Sequence, residues 1–224
     1  DFGPQANVDA MKQTLRQRGW EVISTWAMGD TLEDLSHAGE AEVNLVVSSV
    51  GLPAAKILQE KFGTPYVIGT PVGGFTEELI QAINEEVSHH NEAEEADKNN
   101  ILAAYLKNRL AGTPQITLIG EAVTMGSLAV TLEKQYNKPV EGLLAPNDCT
   151  ADGEEEMEQL LKDAGIIFAD PLYRPICPPD STFIELPHIA FSGRIFLKKI
   201  KQYIPLYILI QYQTSKSPIL FLEV

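Results

Sequence analysis

Val43-Asn44-Leu45-Val46-Val47-Ser48 is followed by Pro53 at the head of an apolar stripe (Ala55, Leu58, Phe62), by Gly63, and then by Tyr66-Val67-Ile68-Gly69. The first run is apolar and β-branched over the length of one strand, the pattern of a strand covered on both faces. Proline in the first turn and glycine just past the last periodic residue bracket a helix. A strand, a helix and a second strand this close together form a βαβ unit, whose strands run parallel because the crossover returns the chain to the same edge.

Reading outward in both directions, the same grammar repeats. Val8, Met11 and Leu15 recur at helical spacing behind Asn7, a good N-cap, and Gly19 ends that run. Residues 21–26 read as a strand, and Thr31 caps a helix bearing Leu32, Leu35 and Ala38. After Gly69, Pro71-Val72-Gly73-Gly74 makes a tight loop, and Thr76 opens a helix with Glu77 and Glu78 in its first turn, where the helix dipole favours acids. Residues 84–100 carry six acids against Lys98 alone, which suits a solvated helix between two lobes. Beyond it come a strand at 116–120, a helix with Leu128, Leu132 and Tyr136, a strand at 140–145, a helix from Glu154, and strands at 166–169 and 183–186. The expected fold class is α/β, with two Rossmann-like lobes whose sheets are mostly parallel. The lobes are placed at 1–97 and 98–203, and 204–224 forms a tail of unknown origin. Its apolar run, Tyr203 to Ile210, is broken by Pro205 and too short to span a bilayer.

Composition narrows the function classes. The 224 residues are 44% hydrophobic and 21% charged, the profile of a globular protein with a real core. Seventeen basic residues against 31 acidic ones leave a net charge of −14, so a phosphate backbone or an anionic membrane would be repelled. Neither nucleic acid nor membrane is an expected partner. Two cysteines, Cys149 and Cys177, cannot build a disulfide framework or supply four thiolates to an iron–sulfur cluster, and they suggest a reducing, cytoplasmic compartment. The opening Asp1-Phe2-Gly3-Pro4 shows neither an initiator Met nor a basic-then-apolar leader, so it is read as a fragment rather than a signal peptide.

No phosphate loop of the G-x-x-x-x-G-K-[ST] type, no G-x-G-x-x-G after a strand, no serine elbow and no H-E-x-x-H is present. What remains are loops that leave strands and open helices, at the carboxyl edge where α/β sheets bind ligands. Ser48 and Gly51 lie in one, Gly73 and Gly74 in another, and Gly120-Glu121-Ala122-Val123-Thr124-Met125-Gly126 forms a third. The glycines are open to two readings: they let backbone N–H groups approach an anion, or they simply allow a tight turn. Further on, His188 follows a strand and precedes a helix start framed by Ser192, Gly193 and Arg194. There His188 is a candidate metal ligand, or a structural residue bonded to a carbonyl, while Ser192 and Arg194 could hold an anionic group such as a carboxylate. The basic run Arg194, Lys198, Lys199 and Lys201 either complements a helix dipole or docks an acidic partner. Cys177, in a proline-stiffened loop, is read as a structural thiol with a ligand role as the alternative; Cys149 is a weaker candidate. His89 and His90 diverge on a helix, which disfavours a two-histidine metal site.

Several segments, taken in order, resemble the nitrogenase component 1 family, which includes nitrogenase, its cofactor-assembly scaffold and the dark-operative tetrapyrrole reductases. They are Asn7-Val8-Asp9-Ala10-Met11, Trp26-Ala27-Met28-Gly29-Asp30-Thr31-Leu32-Glu33-Asp34-Leu35, Ala41 through Ser48, Glu60 through Val67, and Thr70-Pro71-Val72-Gly73. The likeness covers about residues 1–203 and is strongest before Gly74. It implies the last two of three α/β domains around a central cavity, without the cysteine-bearing first domain. It also implies a homologous component 1 subunit as partner, a separate ATP-dependent iron–sulfur reductase as electron donor, and an iron–sulfur or related metallocluster in the complete enzyme. None is expected to bind stably to this chain alone. His188 with Phe191-Ser192-Gly193 resembles the segment presenting a cofactor-binding histidine in nitrogenase, with a gap one residue shorter. No cysteine segment matches the cofactor's thiolate ligand, so nitrogen fixation is not implied. The resemblance thus makes the chain a cavity-forming part of an oxidoreductase. A metal-chelate or siderophore binding module, also built from two Rossmann-like lobes, is the rival from another class.

Overall fold

The computed structural model describes residues 5–26, 28–89, 116–137, 139–144, 154–186, 192 and 195. Helix α1 (Gln5–Arg16) buries Val8, Ala10, Met11 and Leu15. Asn7 lies inside this helix and is buried, rather than capping it. Gly19, at φ +88°, turns the chain so that the Trp20 N–H donates back to the Leu15 carbonyl at 3.0 Å.

Residues 21–26, expected as a strand, belong to no sheet. Their β-rich composition has no neighbouring strand to pair with among the described residues. Instead, the Thr25 N–H donates to the Asp30 carboxylate, which also accepts from Lys12 Nζ at 3.0 Å. A side chain has taken the place of a ladder. Thr31 then caps the short helix α2 (Leu32–Ser36) through a capping box with Asp34. The helix stops at Ser36, and Ala38 opens a separate 3-10 turn (Ala38–Glu40).

Strands β1 (Asn44–Val46) and β2 (Tyr66–Ile68) pair in parallel, Asn44 opposite Tyr66 and Val46 opposite Ile68. Between them a 3-10 turn (Ser49–Gly51) leads into α3 (Leu52–Phe62), which carries proline in its first turn and ends at Gly63 in the left-handed region, φ +75°. Ala55 and Leu58 face the core. Phe62, expected on the same face, is exposed and lies across Gly39, so close that a Cβ there would sit 3.0 Å from its ring. Helix α4 (Phe75–His89) covers β2 with Phe75, Leu79, Ile80 and Ile83.

The second sheet is four-stranded and wholly parallel: β3 (Ile116–Gly120), β4 (Val140–Leu144), β5 (Ile166–Ala169) and β6 (Thr182–Glu185), in the order β4-β3-β5-β6. Helices α5 (Ala122–Tyr136) and α6 (Glu154–Leu161) connect its first strands, and a 3-10 segment (Pro171–Ile176) precedes β6. This is the expected α/β class with parallel sheets. The acidic segment read at 84–100 as the join between lobes begins inside α4, and its part from residue 90 onward lies outside the described residues, as do His188, Arg194, Cys149 and the tail.

Helix α5 explains how the sheets meet. Val123 and every residue from Met125 to Leu132 are buried, so the helix has no solvated face over most of its length. One side, with Met125, Leu128, Ala129 and Leu132, joins a cluster containing Ile116, Leu118, Val140, Ile166 and Phe168 together with Val8, Met11 and Val72 from the first half of the chain. The other side places Val123 and Val130 among Val67, Phe75, Leu79 and Ile83. A helix apolar all round is a buried helix, here wedged between two sheets.

Candidate functional site

The four-stranded sheet reverses direction of growth at β3: the chain places β4 on one side of it and then β5 on the other. Parallel sheets bind ligands in the crevice outside the carboxyl ends of strands flanking such a switch point. Glu121 directly follows β3, and Asp170 directly follows β5.

Both acids do the same two jobs. Glu121 Oε2 accepts from the Thr124 N–H at 2.9 Å and from the Thr124 hydroxyl at 3.0 Å, capping α5. Its Oε1 accepts from the Ser49 N–H at 2.8 Å, in the loop after β1. Asp170 Oδ1 accepts from the Leu172 N–H at 3.0 Å, capping the 3-10 segment. Its Oδ2 accepts from the Ser192 hydroxyl at 2.6 Å, and both residues are buried, at 4% and 1% exposure. In each case one oxygen caps the element that follows, and the other ties in a distant segment.

The loops after β1 and β2 therefore meet the start of α5. Thr70, fully buried, donates its N–H to Ser127 Oγ at 2.9 Å and its hydroxyl to the Val47 carbonyl at 3.1 Å. Thr131 Oγ1 lies 2.8 Å from the Val72 carbonyl, to which it donates, and accepts from the Phe75 N–H at 3.3 Å.

Ser48 is half-buried and extended, heading the turn that Gly51 closes by donating its N–H to the Ser48 carbonyl at 2.9 Å. Gly73, at φ +47°, and Gly74 are exposed at the tip of the next loop; the left-handed backbone at Gly73 is what lets it turn into α4. Open space surrounds the position a Cβ would take at Gly74. The N–H groups just beyond are engaged, Phe75 with Val72 O at 3.1 Å and Thr76 with Gly73 O at 3.2 Å. Of the remaining candidates, Ser192 is held against Asp170, while His188 and Arg194 fall outside the described residues.

Sequence reasoning did not single out Glu121 or Asp170, although an acid between a strand and a helix start is itself an N-cap signature. Cys177 donates its S–H to the Tyr173 carbonyl at 3.2 Å, and burial pushes its thiol pKa up despite the nearby Arg174 guanidinium. A protonated, hydrogen-bonded thiol is the opposite of a metal-ready thiolate. Among the described residues no three His, Cys, Asp or Glu side chains gather as a metal would require, so they do not fit an iron–sulfur cluster. No helix among them is long and apolar enough to cross a membrane.

Comparison with known proteins adds the following. Residues 1–174 match the family described as nitrogenase component 1 type oxidoreductase. One subunit of the light-independent protochlorophyllide reductase of Synechococcus sp. (strain JA-3-3Ab) is 35% identical over 82 residues, a stretch covering 34% of this chain and 16% of that protein. The chain thus matches about a sixth of that relative's length.

Proposed function

Because this chain belongs to the nitrogenase component 1 type oxidoreductase family, we propose that it forms part of the cavity wall of a reductase subunit. The substrate in that cavity is reduced by electrons from a separate ATP-dependent iron–sulfur protein, and a homologous subunit completes the enzyme. The observation that carries this reading is the family match over residues 1–174, joined to parallel sheets whose carboxyl edges converge. Similarity to a protochlorophyllide reductase subunit favours a tetrapyrrole as substrate. In this reading Ser48, Gly51, Gly73, Gly74 and Arg194 lie along the ligand-facing edge, the buried Ser192 braces that edge from behind through Asp170, and His188 is the residue offered to a metal. Any metallocluster of the complete enzyme, in this reading, draws its thiolates from elsewhere.

The test uses the full polypeptide encoded with this chain, purified without oxygen alongside its co-expressed homologous subunit. Adding ATP, a reduced iron–sulfur reductase and protochlorophyllide should produce ATP-dependent loss of the protochlorophyllide absorption band. Electron uptake without tetrapyrrole reduction would overturn the substrate class. Absence of ATP-dependent electron uptake, with a reductase active on another component 1 protein, would overturn the family function for this chain.

A further inference from the structure

We propose that α5 rivets the two sheets into one body, so that the loops at their carboxyl edges do not part by hinge bending between the sheets. The inference stands apart from any assigned activity. It rests on where the side chains of one helix place their hydrogen bonds.

Glu121, Ser127, Thr131 and Lys134 follow one another along α5 and each reaches the first half of the chain: Ser49, Thr70, Val72 with Phe75, and Glu78 in turn. The partners lie 56 to 72 residues away, so these bonds report tertiary closure. Three of the four receive backbone N–H groups. Thr70 and Phe75 are fully buried, so pulling the sheets apart would trade these hydrogen bonds for bonds to water and open both N–H groups to exchange. The hydroxyls are themselves oriented by α5. Ser127 donates to the Val123 carbonyl at 2.8 Å, leaving its lone pairs for Thr70, and Thr131 Oγ1 lies 3.1 Å from the Ser127 carbonyl. The apolar residues beside them add the larger resistance, because Val123 and Val130 share a cluster with Val67, Phe75 and Leu79 that separation would expose. The exposed Lys134–Glu78 pair adds little.

A hinged two-lobe receptor would behave differently, since its inter-lobe contacts must break easily for ligand entry. Native-state amide hydrogen exchange on the chain as it stands separates the two cases. The amides of Ser49 and Thr70 should be protected to within about a factor of thirty of Leu118 in the central strand β3. Protection lower than that, with Leu118 still slow, would mean that the sheets part locally and would overturn the proposal. Ser127→Ala removes the acceptor of the Thr70 N–H and should speed exchange of Thr70, measured relative to Leu118, by roughly tenfold or more. An unchanged Thr70 rate in that variant would show that the hydroxyl is not the clamp. The wild-type measurement decides the main point even if the variant folds poorly.

Discussion

Removing the carboxylate of Asp170 tests whether the carboxyl edge is held by the paired contacts ascribed to it. In Asp170→Ala at least two things are lost. The cap on the Leu172 N–H is worth about 1 kcal/mol. The Ser192 hydroxyl, buried at 1% exposure, loses the acceptor 2.6 Å away, which costs about 1–3 kcal/mol because water cannot replace it. The expected destabilisation is about 2–4 kcal/mol, and for a chain of 224 residues this lowers the melting midpoint by roughly 5–15 °C. Ser192→Ala should cost less, because it removes a small side chain and one bond. The two losses overlap, so the double variant should be more stable than their sum predicts. The coupling expected for a buried hydrogen bond to a carboxylate is about 1.5–3 kcal/mol. Asp170→Asn is the informative control: its carbonyl can still cap Leu172 and its amide can donate to Ser192 Oγ, so it should recover about half of the loss. Urea unfolding followed by circular dichroism on the four proteins supplies the cycle. A coupling below about 0.5 kcal/mol would refute the reasoning, since residues 22 positions apart would then not be joined by this bond.

Gly69→Ala should cost about 1–3 kcal/mol, because its Cβ would lie 2.7 Å from Leu79 Cδ1 and 3.0 Å from the ring of Phe75, both fully buried. Gly120→Ala meets only the flexible Met125 side chain, at 3.0 Å and beyond, and should cost under about 1 kcal/mol; equal losses in thermal melts would contradict this packing. At Asp30, burial works to raise the carboxyl pKa, but hydrogen bonds from Lys12 and Thr25 outweigh it and hold the group below its ordinary 3.8. A folded value below the unfolded one means that this stability is present above 3.8 and is lost as pH falls through the folded value. Asp30→Asn should therefore flatten the acid limb of the stability curve, and an unaltered slope in urea midpoints below about pH 4 would oppose it. His37, raised above 6.5 by its hydrogen bond to Glu40 and by that residue's charge, favours the fold below 6.5, and the contribution fades as pH rises through the raised value. Glu40→Gln should move the His37 proton NMR titration back towards the ordinary value.

Most of the fold was legible because its signals are local. Pro53, Gly63, Gly19 and Thr31 act within a turn of where they stand, and they mark element ends as expected. Strands β1, β2, β3 and β5 announced themselves as short apolar runs. Residues 21–26 misled because strand propensity describes a residue's fit to a sheet, while a strand also needs a neighbour, and here Asp30 took the Thr25 N–H. Phe62 misled because helical spacing continues past the point where the core ends. In α5 the burial on both sides erases the amphipathic contrast that would have shown which way it faces. Ser127 and Thr131 looked like ordinary helix residues; their role depends on partners 56 to 59 residues away, which spacing does not reveal. Glu121 and Asp170 were available as caps, but the second oxygen of each reaches a segment that only the folded chain brings near.

Those two acids bear on how the carboxyl edge can bind anything. Backbone N–H groups at such an edge commonly cradle a ligand's phosphate or carboxylate. Here the Ser49, Thr124 and Leu172 N–H groups already donate to Glu121 and Asp170, and the Ser192 hydroxyl does the same. An incoming anion would have to displace a carboxylate tied at both ends, on a protein whose net charge is already −14. Glu121 also ties the loop after β1 to the start of α5, and Asp170 ties the loop after β5 to Ser192. A rigid wall for a large substrate requires that of its edge, whereas a cleft that closes on a small anion would keep those donors free.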